Sequence, residues 1–180
     1  MILIISGTNR PGSLTSKIAG HYRKLLQENT NETVELFLLE DFQEGLLHAD
    51  MYETSGQSQL LKEAQKKLFI PAKKWVVISP EYNGSYPGAL KVLLDALSVN
   101  EPDLTFKNKK VALIGISSGR AGNWLGMDQL TSVLQYLNMH VFYSKPALRQ
   151  IGNLLNEHTE LSDSKTVALL EKHATEILLF

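Results

Sequence analysis

Three short apolar runs decide most of what this chain can become: ILII at 2–5, WVVI at 75–78 and VALIGI at 111–116. Each is continuous and rich in β-branched residues. A strand wetted on one face is apolar only at alternate positions, whereas a continuous run marks a parallel strand covered on both faces. TVELFLL (33–39) and HVFY (140–143) are shorter or more alternating and read as further strands nearer the edges.

Between these runs the apolar period becomes helical. Ile18, Tyr22, Leu25 and Leu26 share one face, as do Leu61, Ala64 and Leu68. Leu130, Val133, Leu134 and Leu137 form another stripe, and Leu170, Ala174, Ile177 and Leu178 close the chain. GALKVLLDALS (88–98) is more apolar, which predicts a well-buried helix. Five βα units in this order predict a doubly wound α/β domain with right-handed crossovers. A length of 180 residues suits a single domain over 1–180, and no repeat or low-complexity segment divides it. The polar stretch 40–57 reads as a surface loop, with a lid or an interface loop as alternatives.

Composition closes off several function classes. Apolar residues make up 43% of the chain, enough for a sizeable core, and a formal net charge of −1 offers nucleic acid or an anionic membrane no attraction. The absence of cysteine removes disulfides, thiolate nucleophiles and zinc–sulfur sites, and suits a reducing cytosol. MILIISG carries no basic residue ahead of its apolar stretch, and no apolar run approaches the roughly 20 residues that span a bilayer. The expectation is a cytoplasmic protein with neither a nucleic-acid nor a membrane partner. Its five histidines are scattered without ligand spacing, so no metal site is expected.

Sheets of this class bind ligands outside the carboxyl ends of their strands, at the switch point of strand order. Three loops therefore matter. The first, SGTNRPGSLTSK (6–17), supplies turn glycines at Gly7 and Gly12, the hydroxyls of Ser6, Thr8, Ser13, Thr15 and Ser16, and the fixed cation of Arg10. With the N–H groups and partial positive charge of a helix start, this set suits a phosphate monoester. Ordinary helix capping would explain a single serine, but not the whole cluster at this place in the fold. Neither G-x-x-x-x-G-K-[ST] nor G-x-G-x-x-G is present, which disfavours a magnesium-dependent NTPase and a tightly held dinucleotide.

The second loop, SPEYNGSYPG (79–88), leaves its strand through Pro80. A helix is expected to begin near Ser85–Tyr86 with Pro87 in its first turn, where a missing N–H costs nothing. A backbone stiffened in this way can present N–H and C=O groups edge-on to a flat heterocycle flanked by Glu81, Tyr82 and Asn83. Turn chemistry accounts for the proline and glycine content alone.

PEYNGSYPGALKVLLDALS resembles the signature of the NADPH-dependent FMN reductase family, which includes quinone, azo-dye and chromate reductases. GTNRPGSLTSKIA is similar to that family's phosphate loop, Gly–Ser/Thr–x–Arg followed by a spaced serine. The resemblance implies a flavodoxin-like, five-stranded parallel sheet of order 2-1-3-4-5, helices on both faces, with FMN at the switch point. By position, Thr8, Arg10, Ser13 and Thr15 would hold the FMN phosphate, and Pro80, Glu81, Tyr82 and Asn83 would line the isoalloxazine. Thr15 departs from the Asn of many members, though a hydroxyl can still serve. The resemblance further implies hydride transfer from NADPH or NADH to flavin N5; no catalytic acid or base is evident in the sequence, and none is assigned. Electrons would pass in a ping-pong cycle to a quinone, azo, nitro, metal-oxyanion or free-flavin acceptor. A homodimer or tetramer is implied as well.

The third loop, GISSGRAGN (115–123), would under this reading offer backbone N–H groups of Ser117, Ser118 and Gly119 to the pyrimidine edge of the ring. It keeps only part of the family's usual pattern. The same stretch satisfies G-x-S-x-G, a hydrolase nucleophile motif, and Asp163 and His173 follow in hydrolase order. His173, however, falls inside the last amphipathic helix rather than on a loop. A serine hydrolase using Ser117 is thus the distant rival, and a non-enzymatic flavodoxin-like carrier or flavin-bound regulator the nearer one.

Overall fold

The computed structural model describes residues 1–42, 46–53 and 55–180. Its centre is a parallel sheet of β1 (Ile2–Ser6), β2 (Val34–Leu38), β3 (Lys74–Pro80) and β4 (Lys110–Ile116), extended by β5 (His140–Val141) and β6 (Ala147–Leu148). The strand order is β2-β1-β3-β4-β5, with β6 also paired to β4. That is the order the resemblance implies.

The continuous runs are covered on both faces, as expected. In β1, Leu3 and Ile5 face one apolar cluster together with Trp75, Val77 and Leu113. Ile2 and Ile4 face the other with Val76, Ile78 and Ile114. The first cluster is roofed by α2 (Gln59–Ala64), α3 (Gly88–Leu97) and α5 (Trp124–Tyr136), and the second by α1 (Leu14–Asn29) and α6 (Ser164–Leu179). A short α4 (Pro102–Thr105) precedes β4. α3 buries Leu90, Leu93, Leu94, Ala96 and Leu97, as its apolar sequence predicts.

One strand differs from expectation. The fifth lane is split, because HVFY leaves the sheet after Val141 and the chain returns only at Ala147. Phe142 N–H still reaches Val111 O at 2.8 Å, and Gly115 N–H reaches Pro146 O at 2.8 Å. Between those points Tyr143 is 80% exposed. Pro146 has no N–H for the ladder and disfavours helical backbone before it, so the chain arches out and re-enters.

The expected surface loop at 40–57 is anchored by Leu46 and Met51, both buried against the first cluster. Residues 43–45 and 54 of that stretch lie outside the described residues. Among the described residues no helix is long and apolar enough to cross a membrane.

What positions the site is register. Ser6 pairs with Leu38 and with Ile78, and Pro80 pairs with Ile116, so β1, β3 and β4 end side by side. Their three exit loops therefore emerge together at one edge of the sheet.

Candidate functional site

The first loop leaves the sheet after Gly7, whose N–H donates to Ile78 O at 2.8 Å. A Cβ there would stand 2.9 Å from Leu90 Cδ2 and 3.1 Å from Ile78 O, so a side chain would have to displace the Leu90 tip and crowd the Ile78 carbonyl. Gly12 has φ +64° and lets the loop fold back onto the helix start. Ser13 then caps α1, accepting the Ser16 N–H at 3.1 Å. No acidic side chain occupies the first turn of α1, so the N–H groups and positive end of this 16-residue helix meet no carboxylate of that turn.

This corner encloses a cleft of about 290 Å³ whose lining includes Thr8, Arg10, Gly12, Ser13, Thr15, Pro80 and Tyr82. Thr8 and Thr15 are buried while Arg10 is exposed at the rim. Among the described residues Arg10 makes no ion pair. A cation, several hydroxyls and a helix N-terminus around one concavity are the donor set that a phosphate monoester needs. By that chemistry the residues fit the phosphate end of FMN.

The second loop is built differently from the sequence reading. Glu81 N–H donates to Ile116 O at 2.9 Å, prolonging the β3–β4 pairing by one residue. Tyr82 and Ser85 then exchange backbone hydrogen bonds, Tyr82 N–H to Ser85 O at 2.8 Å and Ser85 N–H to Tyr82 O at 3.1 Å. The two residues between them, Asn83 (φ 52°) and Gly84 (φ 76°), both have left-handed backbone. This is a tight two-residue hairpin, and Asn-Gly is the preferred pair for it. The hairpin displaces the helix start: Pro87 is non-helical (ψ 137°) and α3 begins at Gly88, not at Ser85–Tyr86. The strand pairing takes the N–H of Glu81 and the hairpin those of Tyr82 and Ser85, so fewer backbone groups of this loop can face a ligand than expected.

The third loop is closed by Ser117, which is buried. Its hydroxyl donates to Gly119 O at 2.9 Å and accepts from Gly122 N–H at 2.7 Å. Its backbone N–H donates to Leu148 O at 2.9 Å. Of the three N–H groups expected to face a ring, that of Ser117 is therefore already taken, whereas Ser118 and Gly119 are exposed. The hydrolase arrangement does not assemble. Asp163 accepts from Thr166 N at 2.8 Å as the cap of α6, and His173 bonds Tyr22 Oη at 2.9 Å and Ser144 O at 3.3 Å.

The loops are tied to one another. Thr8 Oγ1 and Tyr82 Oη lie 2.6 Å apart, joining first to second. Asn123, which the sequence reading missed, joins third to second. Its backbone N–H donates to Glu81 Oε2 at 3.2 Å, and its side-chain amide donates to Ser79 O at 3.0 Å, Ser79 Oγ at 3.1 Å and Pro80 O at 2.9 Å. Asn123 has φ 61° and is buried. An asparagine directly after a glycine, just ahead of a helix, was the signal available for it.

Comparison with known proteins agrees with this construction. Residues 1–152 match the family described as NADPH-dependent FMN reductase. The FMN-dependent NADPH-azoreductase of Staphylococcus saprophyticus is 35% identical over 121 residues, 65% of this chain and 60% of that protein. The 2-hydroxy-1,4-benzoquinone reductase of a Burkholderia species is 30% identical over 104 residues, 53% of this chain and 57% of that protein. The chain thus spans less than two thirds of the length of the curated relatives it matches. Among solved structures, the flavoenzyme NAD(P)H:(acceptor) oxidoreductase FerB from Paracoccus denitrificans superposes with a TM-score of 0.78 at 21% identity, covering 98% of this chain and 93% of that one. A flavodoxin variant from Pseudomonas aeruginosa gives 0.57 at 17%, covering 98% and 97%. These two likenesses identify the fold as flavodoxin-like. With its family match extending over all three exit loops, the chain belongs to the NADPH-dependent FMN reductase family.

Proposed function

We propose that the protein is an FMN-dependent NAD(P)H oxidoreductase that delivers electrons to a small-molecule acceptor such as a quinone or azo compound. The observation that carries this reading is the cleft at the start of α1, lined by Arg10 and several hydroxyls and joined through Thr8 and Tyr82 to the hairpin. In this reading Arg10 and the hydroxyls of Thr8, Ser13 and Thr15 hold the FMN phosphate. Pro80, Glu81, Tyr82 and Asn83 support the ring, and Ser118 and Gly119 offer N–H groups to its edge. Bound FMN supplies the hydride and electron chemistry, and the chain supplies position and hydrogen bonds.

A homodimer fits the same reading. Trp124 and Leu125, adjacent at the start of α5, are 58% and 42% exposed beside the third loop, an apolar surface that a second copy would cover. Sedimentation of the purified protein tests it.

The decisive experiment is the absorption spectrum of the protein as purified and after addition of FMN, followed by NAD(P)H oxidation with menadione as acceptor. A flavin spectrum with steady turnover is expected. Failure to bind flavin at micromolar protein would falsify the reading, and flavin binding without turnover would favour a carrier.

A further inference from the structure

The side chain of Asn123 ties the third loop to the second through three hydrogen bonds, and it does so from left-handed backbone. A non-glycine residue at φ 61° is uncommon, and here it is 1% exposed. Its amide orientation is fixed by its neighbours. Ser79 O and Pro80 O can only accept, so Nδ2 must face them, and the buried Oδ1 has no partner among the described residues. An unsatisfied buried acceptor is costly, which means the donor side carries the reason for the residue. The surroundings are equally constrained. A Cβ on Gly126 would run into Asn123 Oδ1 and stand 2.5 Å from Tyr86 N, so the first turn of α5 lies directly on both loops. Ser85 Oγ adds a second link by donating to Gln129 Oε1 at 2.5 Å.

We infer that Asn123 is a positioning residue: it fixes the Pro80 carbonyl and the Glu81 carboxylate against the third loop, so that the support for the flavin ring is built before flavin binds. It acts through Ser79, Pro80 and Glu81 and is assigned no contact of its own with the cofactor. Glu81 is thereby a half-buried carboxylate whose Oε2 is pinned by a backbone N–H, aimed by the third loop rather than free to rotate. The inference rests on the FMN reading for its consequence, though the tie itself belongs to the chain.

The test uses Asn123→Gly, which tolerates the left-handed backbone and keeps the N–H to Glu81 while removing the amide. In the protein without flavin, amide exchange at Glu81 and Tyr82 should rise about tenfold, with Ile4 and Ile114 in the sheet unchanged. FMN and riboflavin should both bind about tenfold more weakly and by equal factors, since the tie serves the ring and not the phosphate. At saturating FMN the long-wavelength flavin band should differ from wild type, a change that mere loss of stability would not produce. Adding Asn123→Gly to Glu81→Ala should cost less than it costs alone, because the two act on one element. Exchange and both affinities within twofold of wild type would overturn the inference, as would a loss confined to FMN. Should Asn123→Gly fail to fold, Asn123→Asp keeps the volume and sets a carboxylate against the same acceptors, with the same expectations. If the wild type binds no flavin, the cofactor reading fails while the exchange result still decides the tie.

Discussion

The hydroxyls of Thr8 and Tyr82 stand 2.6 Å apart although 74 positions separate them in the chain. Thr8 is 1% exposed, and its oxygen also accepts the Arg10 N–H at 3.2 Å. One buried hydroxyl therefore sets both the course of the first loop and its distance from the hairpin. Strand register brings the two loops to the same edge, and this contact fixes their spacing.

Tyr82→Phe removes that contact and keeps the ring. A neutral hydrogen bond contributes about 1 kcal/mol net, so the denaturation midpoint should fall by a corresponding amount. FMN affinity should drop by up to roughly fivefold, to the extent that binding must restore the lost loop spacing. Both are measured in one protein preparation, by chemical unfolding and by flavin fluorescence. An unchanged midpoint together with unchanged affinity would mean that the loops hold their spacing independently.

Arg10→Ala separates the phosphate from the ring. A charge-assisted bond to phosphate is worth about 1.5–3 kcal/mol, and at an exposed rim the lower end applies. FMN should therefore bind about tenfold more weakly, and riboflavin within twofold of wild type. Equal losses for the two ligands would show that the phosphate sits elsewhere.

Gly84, at φ 76°, has nothing within 4 Å of where a Cβ would be, so any cost of substitution there is backbone strain alone. Gly84→Ala should destabilise by about 1 kcal/mol, Gly84→Asn by less because asparagine tolerates left-handed backbone, and Gly84→Val by more. Thermal melts of the three variants give the ranking. Equal costs would contradict a hairpin of this type in solution.

Much of this architecture can be read directly from residues. ILII, WVVI and VALIGI are strands because a doubly covered strand needs apolar residues on both faces, and each run is rich in β-branched residues. The cluster at 6–17 is legible because hydroxyls, glycines and an arginine converge in a dozen positions. The hairpin was equally available, since Asn83–Gly84 is the pair most favoured in such turns, yet helix capping at Pro87 competed for the same residues. Two features depend on contacts with distant strands, which local signals only hint at. The fifth lane splits because Pro146 interrupts a ladder whose partner lies on β4, some thirty positions away. Asn123 is chosen by the carbonyls of Ser79 and Pro80, on a different strand end.

The last prediction concerns His173, which is 1% exposed between α1 and the arch after β5. Burial lowers its pKa from 6.5 to about 4, against a smaller opposing contribution from the Ser144 carbonyl. The neutral ring is held by two neighbours: Nε2 donates to Ser144 O, which leaves Nδ1 to accept from the Tyr22 hydroxyl. A group whose folded pKa is lowered binds its proton more readily when unfolded. Above pH 6.5 both states are neutral and stability is complete. As the pH falls from 6.5 towards 4 the unfolded state is protonated first, so stability declines through that window and the decline ends once the folded state is protonated too. At about 1.4 kcal/mol per pKa unit the loss is on the order of 3 kcal/mol. His173→Gln should be less stable than wild type at pH 7 but flatter between pH 6.5 and 4, measured as unfolding free energy at several pH values. Parallel curves for the two proteins would mean that His173 titrates alike folded and unfolded, and that burial does not keep its ring neutral.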